Sequence, residues 1–171
     1  MRTFLTGVFL TVFLSSTATA QDAEAPPAIT LGNGEKNWII VDGLKRASAS
    51  TYTEVRTTSE RQHLRRGDGV TLIIPEVHID GDGWLVMHPF IGGAPSGTYV
   101  AGYAFVESGT NKNVEITLNP APAKGDRYVV MLHKDVDNDR VFDFVFVAEN
   151  VVEDEAVFEG RTMIAHIVAV P

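Results

Sequence analysis

The stretch VEITL at residues 114–118 decides the fold class of this chain. Its apolar and polar side chains alternate, and this period of two places them on opposite faces of a β-strand. Segments of similar character lie at residues 99–106, 127–133, 142–147 and 162–170, separated by clusters of Gly, Pro, Asn and Asp. Because no long helical pattern interrupts the series, the sequence predicts an all-β fold, an antiparallel immunoglobulin-like sandwich of about seven or more strands.

A turn signal precedes that series, where residues 77–79 and 84–88 flank the loop DGDG at residues 80–83. Its glycines tolerate positive φ angles, so we expect a β-hairpin whose two strands pair directly across the loop. Pro75 cannot donate a ladder hydrogen bond, which predicts that its segment lies at a sheet edge or is divided in two.

Composition excludes several classes of protein. The chain has 171 residues, 44% of them hydrophobic, which suits one globular domain and is too short for two of full size. It contains no cysteine, so disulfides, zinc–thiolate sites and thiol nucleophiles are excluded. Its formal charge of -8 disfavours nucleic-acid binding, which needs a concentrated basic face.

The first twenty residues are typical of a secretory signal peptide. Arg2 provides a positive charge, residues 4–14 form an apolar run, and ATA at residues 18–20 is a small-residue cleavage site. The run is shorter than the roughly 20 residues that cross a bilayer, so we expect cleavage and no transmembrane segment. The sequence therefore predicts a signal peptide at 1–20, a linker at 21–28 and a periplasmic or extracellular protein.

Residues 29–67 precede the regular strand pattern of residues 68–171, which we assign to the sandwich domain. The apolar run at 38–41 is too hydrophobic to remain in water. We therefore expect this N-terminal extension to dock on the sandwich and cover an edge strand, the one interrupted by Pro75.

Basic residues are concentrated in the same extension, and four of them are Arg56, Arg61, Arg65 and Arg66. Two partners suit them: the acidic half of the same molecule, or an anionic component of the envelope that they contact peripherally. We favour the internal partner.

The densest cluster of acidic residues is Asp135, Asp137, Asp139 and Asp143. These carboxylates occupy relative positions 1, 3, 5 and 9, the spacing with which a tight loop wraps a hard cation such as calcium. The pattern departs from an EF-hand, since Arg140 stands at position 6 in place of glycine and Phe146 at position 12 in place of glutamate. The other interpretation is an exposed turn whose Asp and Asn side chains bond to the local backbone.

Histidine and methionine recur together in the strand segments, which makes copper the alternative metal. Met131 and His133 share a strand face because they are two residues apart, and His88 or His166 from neighbouring strands completes the candidate set. A buried methionine beside a hydrogen-bonded histidine explains the same residues without a metal. Calcium is therefore favoured over copper.

No catalytic signature is present: the sequence has no G-x-S-x-G elbow, H-E-x-x-H helix or glycine-rich phosphate loop. A triad could still assemble in space from His133, Asp135 and a serine, because triads are recognised by geometry. We expect a protein that is not an enzyme.

Several segments carry a resemblance to a known family. They are GWLVMH at 83–88, VESGTNKNVEITL at 106–118, VMLHKD at 130–135 and FDF at 142–144. Together they resemble an uncharacterised family of exported β-sandwich domains in haloarchaeal and bacterial surface proteins. The resemblance covers roughly residues 70–171 and implies a fold and an exported location, but no activity.

These features favour an exported, non-catalytic module with a binding or structural role in the cell envelope, stabilised by calcium at the acidic loop. The alternative function is that of a periplasmic protein that binds or traffics copper through His and Met ligands.

Overall fold

The computed structural model of the chain describes residues 28–47, 69–97, 99–144 and 154–171. These residues form eleven strands and no helix, and the strands are arranged in two sheets. The all-β sandwich predicted from the alternating pattern is therefore confirmed. Among the described residues, none lies in a helix that is long and apolar enough to cross a membrane. In chain order the strands are β1 (Thr30–Gly32), β2 (Trp38–Ile40), β3 (Lys45–Ala47), β4 (Val70–Ile79), β5 (Gly83–Ile91), β6 (Ala94–Pro95), β7 (Gly102–Val106), β8 (Gly109–Leu118), β9 (Arg127–Lys134), β10 (Phe158–Glu159) and β11 (Thr162–Ala169).

The larger sheet has seven strands and is built around β5 and β9, which pair along most of their length. β5 also pairs with β7 and β6, while β9 pairs with β11, which in turn pairs with β10 and with β1. The smaller sheet has four strands, in which β4 pairs with β8, β2 and β3. Apart from β1 with β11, the pairings among the described strands are antiparallel.

A first apolar core fills the space between the two sheets. Leu72 and Ile74 of β4 meet Leu85 and Met87 of β5 there, and each of these side chains is at most 1% exposed. Alternate residues of each strand contribute to this core, as the period of two requires. Burying side chains of this size stabilises the fold by roughly 1.5–3 kcal/mol each.

A second core lies on the outer face of the larger sheet. Trp84 of β5 and Val129 and Met131 of β9 belong to it, and Phe142 from the loop after β9 packs on Trp84 with ring centroids 5.5 Å apart. Both faces of β5 and β9 are consequently buried. This explains why these strands are continuous apolar runs, whereas β8, with one exposed face, alternates.

The prediction of a β-hairpin around residues 80–83 is wrong. β4 and β5 belong to different sheets, so this loop carries the chain from one sheet to the other. β4 pairs instead with β8, from Val70 opposite Leu118 to Ile79 opposite Gly109. Turn residues predict a change of direction, whereas the choice of partner depends on which apolar faces are buried together.

The strand predicted at 142–147 does not form over its described part, residues 142–144. Phe142 and Phe144 are nonetheless buried. The Phe144 ring packs edge-on against His133, with centroids 4.6 Å apart. Packing on the outer core, and not a strand ladder, is what places these two aromatic residues.

The N-terminal extension supplies β2 and β3, which pair with β4 on the two sides of Pro75. Ile40 lies opposite Glu76 and Lys45 opposite Ile73, so the turn between β2 and β3 passes the proline. The expectation of an edge strand or a divided strand is therefore wrong. β4 is one ten-residue strand that pairs with β8 as well as with β2 and β3, and its ladders skip only Pro75.

Some predictions concern residues that the structure does not describe. The signal peptide at 1–20, most of the linker at 21–28 and the four basic residues of the extension lie outside the described ranges. Those basic residues are Arg56, Arg61, Arg65 and Arg66.

Candidate functional site

The loop that follows β9 brings three of the predicted calcium ligands together. One carboxylate oxygen from each of Asp135, Asp137 and Asp139 lies within 4.8 Å of the others. Asp137 and Asp139 are exposed, whereas only 1% of Asp135 is exposed. Oxygen atoms at this separation can surround one calcium ion, whose ligands lie about 2.3–2.6 Å from it.

Backbone amides shape this loop by donating to its own carboxylates. The Arg140 N–H donates to Asp135 Oδ2, and the Asp139 N–H donates to Asp137 Oδ1, each at 3.2 Å. Asn138 and Arg140 have φ angles of 61° and 60°, in the left-handed region. Arg140 thus makes, at position 6, the sharp turn for which EF-hand loops use glycine.

The fourth predicted ligand, Asp143, is not part of this group of three. Its backbone N–H donates to Asp154 Oδ2 at 3.0 Å. The negative charge of Asp135 also acts on Asp154, so this buried carboxylate lies beside the acidic loop. Asp154 was missed because it comes from a different segment, and no local spacing in the sequence marks it.

Burial makes the negative charges of this cluster costly. Burial, with a contribution from the charge of Asp135, raises the pKa of Asp154 to about 6. Burial also raises the pKa of Asp135, and the charges of Asp137 and Asp139 act in the same direction. In the described residues, neither Asp135 Oδ1 nor Asp154 Oδ1 has a hydrogen-bond partner. A cation bound here would compensate both carboxylates.

A cavity of about 590 Å³ opens beside this loop, on the outer face of the larger sheet. Its wall includes Met131 and His133 of β9, His88 of β5 and Met163 of β11. Three members of the predicted copper set therefore line one pocket. Phe144, which follows the acidic loop, lines it as well.

Backbone carbonyl groups hold both imidazoles of this pocket. His88 Nδ1 lies 2.9 Å from the carbonyl oxygen of Tyr99, and His133 Nδ1 lies 2.9 Å from that of Asp154. Because a carbonyl oxygen only accepts, each neutral ring carries its proton on Nδ1. Burial lowers the pKa of His88 and lowers that of His133 to about 4, so both rings are neutral at neutral pH.

The structure corrects the predicted copper set at His166. Ala165 of β11 lies opposite Met131, so the next residue along the strand points to the other face of the sheet. There His166 Nε2 is 2.8 Å from Asn33 Oδ1. Met163, two residues before Ala165, lies on the pocket side in its place.

The described residues do not assemble the triad considered from the sequence. His133 Nδ1 is bonded to the backbone carbonyl of Asp154 and not to the Asp135 carboxylate. Thr110 Oγ1 lies 2.7 Å from His78 Nδ1, and this pair is exposed. No carboxylate of the described residues hydrogen-bonds to His78, so the pair lacks the third member of a triad.

Comparison with known proteins identifies a family but no activity. A family model described as a domain of unknown function, DUF7282, matches residues 56–168. No curated protein and no solved structure matches the chain. The matched range contains the acidic loop and the histidine and methionine residues of the pocket, while β1, β2 and β3 precede it. Since this range is well over half of the sequence, the chain belongs to the DUF7282 family of domains of unknown function.

Proposed function

We propose that this chain is an exported, non-catalytic β-sandwich module with a binding or structural role in the cell envelope, and that its acidic loop binds a calcium ion. The proposed ligands are the carboxylates of Asp135, Asp137 and Asp139. The buried carboxylate of Asp154 lies beside them and adds negative charge to the site. These donors are all oxygen atoms, which calcium prefers over softer ligands.

The observation that carries the calcium site is the environment of Asp135. Only 1% of Asp135 is exposed, and its carboxylate atom Oδ1 is buried with no hydrogen-bond partner among the described residues. An ionised group in this position costs several kcal/mol unless an opposite charge compensates it. A turn that merely satisfies its own backbone needs no buried, unpartnered oxygen, so this observation favours a bound cation over the bare turn.

Calcium in this loop would stabilise more than the loop itself. Phe142 and Phe144 follow the acidic residues directly and cover the outer core, packing on Trp84 and His133. An ion that fixes the acidic loop therefore also holds in place the segment that follows it, in which Phe144 lines the histidine pocket. A ligand that binds only the folded state adds stability by mass action, about 2.7 kcal/mol at a hundredfold excess over its Kd.

Thermal unfolding with excess calcium and then with chelator tests the proposal. We expect calcium to raise the Tm by about 5–10 °C at a hundredfold excess over Kd. The Asp137→Asn variant changes an exposed ligand, so it should fold and lose most of this increase. Asp42→Asn makes the same chemical change at an exposed position remote from the loop and should keep it. Equal midpoints with chelator and with millimolar calcium would rule the site out.

Export is supported by the signal-like residues 1–20 and is tested separately. The intact mass of the protein recovered from the periplasm or the medium should correspond to a chain that begins at Gln21. A protein that stays in the cytoplasm with its first twenty residues attached would contradict export, and it would leave the calcium measurement unaffected.

A further inference from the structure

The histidine pocket has a donor arrangement of its own, separate from the acidic loop. In the β5–β9 ladder, Trp84 lies opposite His133, Val86 opposite Met131 and His88 opposite Val129. The three pocket residues His133, Met131 and His88 therefore stand on one face in successive rows, with the thioether in the middle row. Met131 lies two residues from His133 along β9 and diagonal to His88 across the ladder, and both positions are within reach of a long side chain.

Each imidazole has one unprotonated ring nitrogen that can bind a metal. Both rings carry the proton on Nδ1 and donate it to a backbone carbonyl, which leaves Nε2 as the unprotonated nitrogen. The Nε2 atoms of His88 and His133 are buried and have no hydrogen-bond partner in the described part of the chain. Histidines that bind a metal have this arrangement, with the second ring nitrogen donating to a carbonyl or carboxylate.

The separation of the two rings fits one shared ion. Their centroids are 5.8 Å apart. A metal bonded to an imidazole nitrogen at about 2.0–2.1 Å lies about 3.2 Å from the ring centroid, so two rings that share an ion have centroids at most about 6.3 Å apart. The observed distance falls below that limit and corresponds to a bent N–metal–N arrangement.

Contact distance distinguishes an ion from an organic ligand in this pocket. Both Nε2 atoms are closed to a water-sized group, and a hydrogen-bonding ligand atom must sit about 2.9 Å from the nitrogen. A bare ion needs only about 2.0–2.1 Å. The donors are uncharged nitrogen and sulfur atoms, which suit a soft ion of low charge and give no charge compensation to a divalent one.

We propose that His88 Nε2, His133 Nε2 and the Met131 thioether form a binding site for one soft monovalent metal ion of the Cu(I) class. The pocket provides the route by which the ion enters, and Met163 lines that route. Its three proposed donors are not calcium ligands, so metal binding by the pocket can be tested whether or not the acidic loop binds calcium.

Silver(I), which does not change its oxidation state, is the probe for the first experiment. Silver nitrate is titrated into 15N-labelled wild-type protein in chloride-free buffer while long-range 1H–15N spectra follow the imidazole nitrogens. We expect one equivalent to shift the Nε2 signals of His88 and His133 and to leave those of His78 and His166 in place. Shifts at His78 or His166 alone, or no shift at any histidine, would overturn the proposal. This experiment needs only the wild-type protein.

Affinity is then measured with Cu(I), kept reduced by ascorbate, in competition with the chromophoric chelator bicinchoninate. We expect His88→Gln and Met131→Leu each to weaken binding at least tenfold. His166→Gln and Met87→Leu remove the same donor types from the opposite face of the sheet and should leave the affinity within twofold. Equal effects of the two pairs of variants would contradict the assignment. Displacement of Cu(I) by equimolar zinc would contradict the proposed preference of the site for a soft monovalent ion.

Discussion

A single half-buried carboxylate, that of Glu159, holds the turn between β1 and β2. It accepts the backbone N–H groups of Glu35 at 2.7 Å, Lys36 at 3.0 Å and Asn37 at 2.7 Å, and the Asn37 side-chain amide at 2.8 Å. Partial desolvation acts to raise the pKa of Glu159, but the hydrogen bonds from Asn37, Glu35 and Lys36 outweigh it, and the net shift is downward. The ionised form therefore stabilises the folded chain.

We predict that Glu159→Gln lowers the Tm and that the deficit depends on pH. Because the folded pKa lies below the unfolded value of about 4.3, the contribution of Glu159 is present above that pH and is lost as the pH falls through the folded pKa. Unfolding curves of the two proteins from pH 3 to pH 7 should converge at the acidic end. Glu107→Gln, at an exposed carboxylate, is the matched control and should match wild type throughout.

Asp154 should have opposite effects on stability with and without calcium. Its pKa in the ion-free fold is about 6, above the unfolded value of about 3.9, so its contribution to stability falls as the pH rises from about 4 to about 6. At pH 7.5 the Asp154→Asn variant should therefore be more stable than wild type in chelator, by about 1–3 kcal/mol.

The same Asp154→Asn variant should show a smaller calcium-induced increase in Tm than wild type, because it removes a negative charge beside the ligand Asp135. Differential scanning calorimetry at pH 7.5, with chelator and then with calcium, measures both effects. A variant less stable than wild type in chelator and stabilised by calcium as much as wild type would show that Asp154 is a structural residue only.

At the scale of the strands, β5 begins where a side chain has no room. A Cβ at Gly83 would collide with the backbone oxygen of His133, the β9 residue that lies opposite the next residue, Trp84. We predict that Gly83→Ala destabilises the protein by about 1–3 kcal/mol, the usual cost of overpacking. In Gly32→Ala the added Cβ lies 3.7 Å from Thr162 Cγ2, an ordinary contact, so urea unfolding should show little change. If both variants destabilise the protein equally, the collision at Gly83 is not the cause of the loss of stability.

The sequence predicts where strands lie more reliably than it predicts which strands pair with each other. The alternation in VEITL predicted β8 because a strand with one exposed face must have a period of two. The loop at 80–83 was misassigned to a hairpin, since its glycines fit a sheet-to-sheet crossing equally well. Which sheet each strand joins is decided by burial on both faces of β5, and single-strand patterns do not contain that information.

The same limit applies to the candidate sites: local spacing predicts some of their residues, and tertiary folding supplies the others. Spacing along the chain predicted the grouping of Asp135, Asp137 and Asp139, because neighbouring side chains in a tight loop converge whatever the rest of the fold does. It could not predict Asp154, which arrives through tertiary folding. The predicted copper set includes His166 because the sequence around it does not show which face of β11 lies against the pocket. The pairing of β11 with β9 decides that face.

For the whole molecule, Asp154 connects the two proposed sites. Its carboxylate lies against the acidic loop, while its backbone oxygen accepts the His133 Nδ1–H at 2.9 Å. Calcium that fixes Asp154 should therefore pre-position His133 and strengthen silver(I) binding, about fivefold or more. Coupling of this kind is reciprocal, so silver should raise the calcium affinity by the same factor. Identical silver affinities with calcium and with chelator would show that the two sites are independent.

Calorimetric titration of calcium into chelator-treated protein tests the central claim, that the buried and unpartnered Asp135 belongs to a cation site. We predict one ion per chain at pH 7.5, no measurable binding after the double change Asp135→Asn and Asp137→Asn, and unchanged binding after Asp42→Asn. Absence of binding to the wild-type protein at millimolar calcium would contradict the claim, as would equal binding by the double variant.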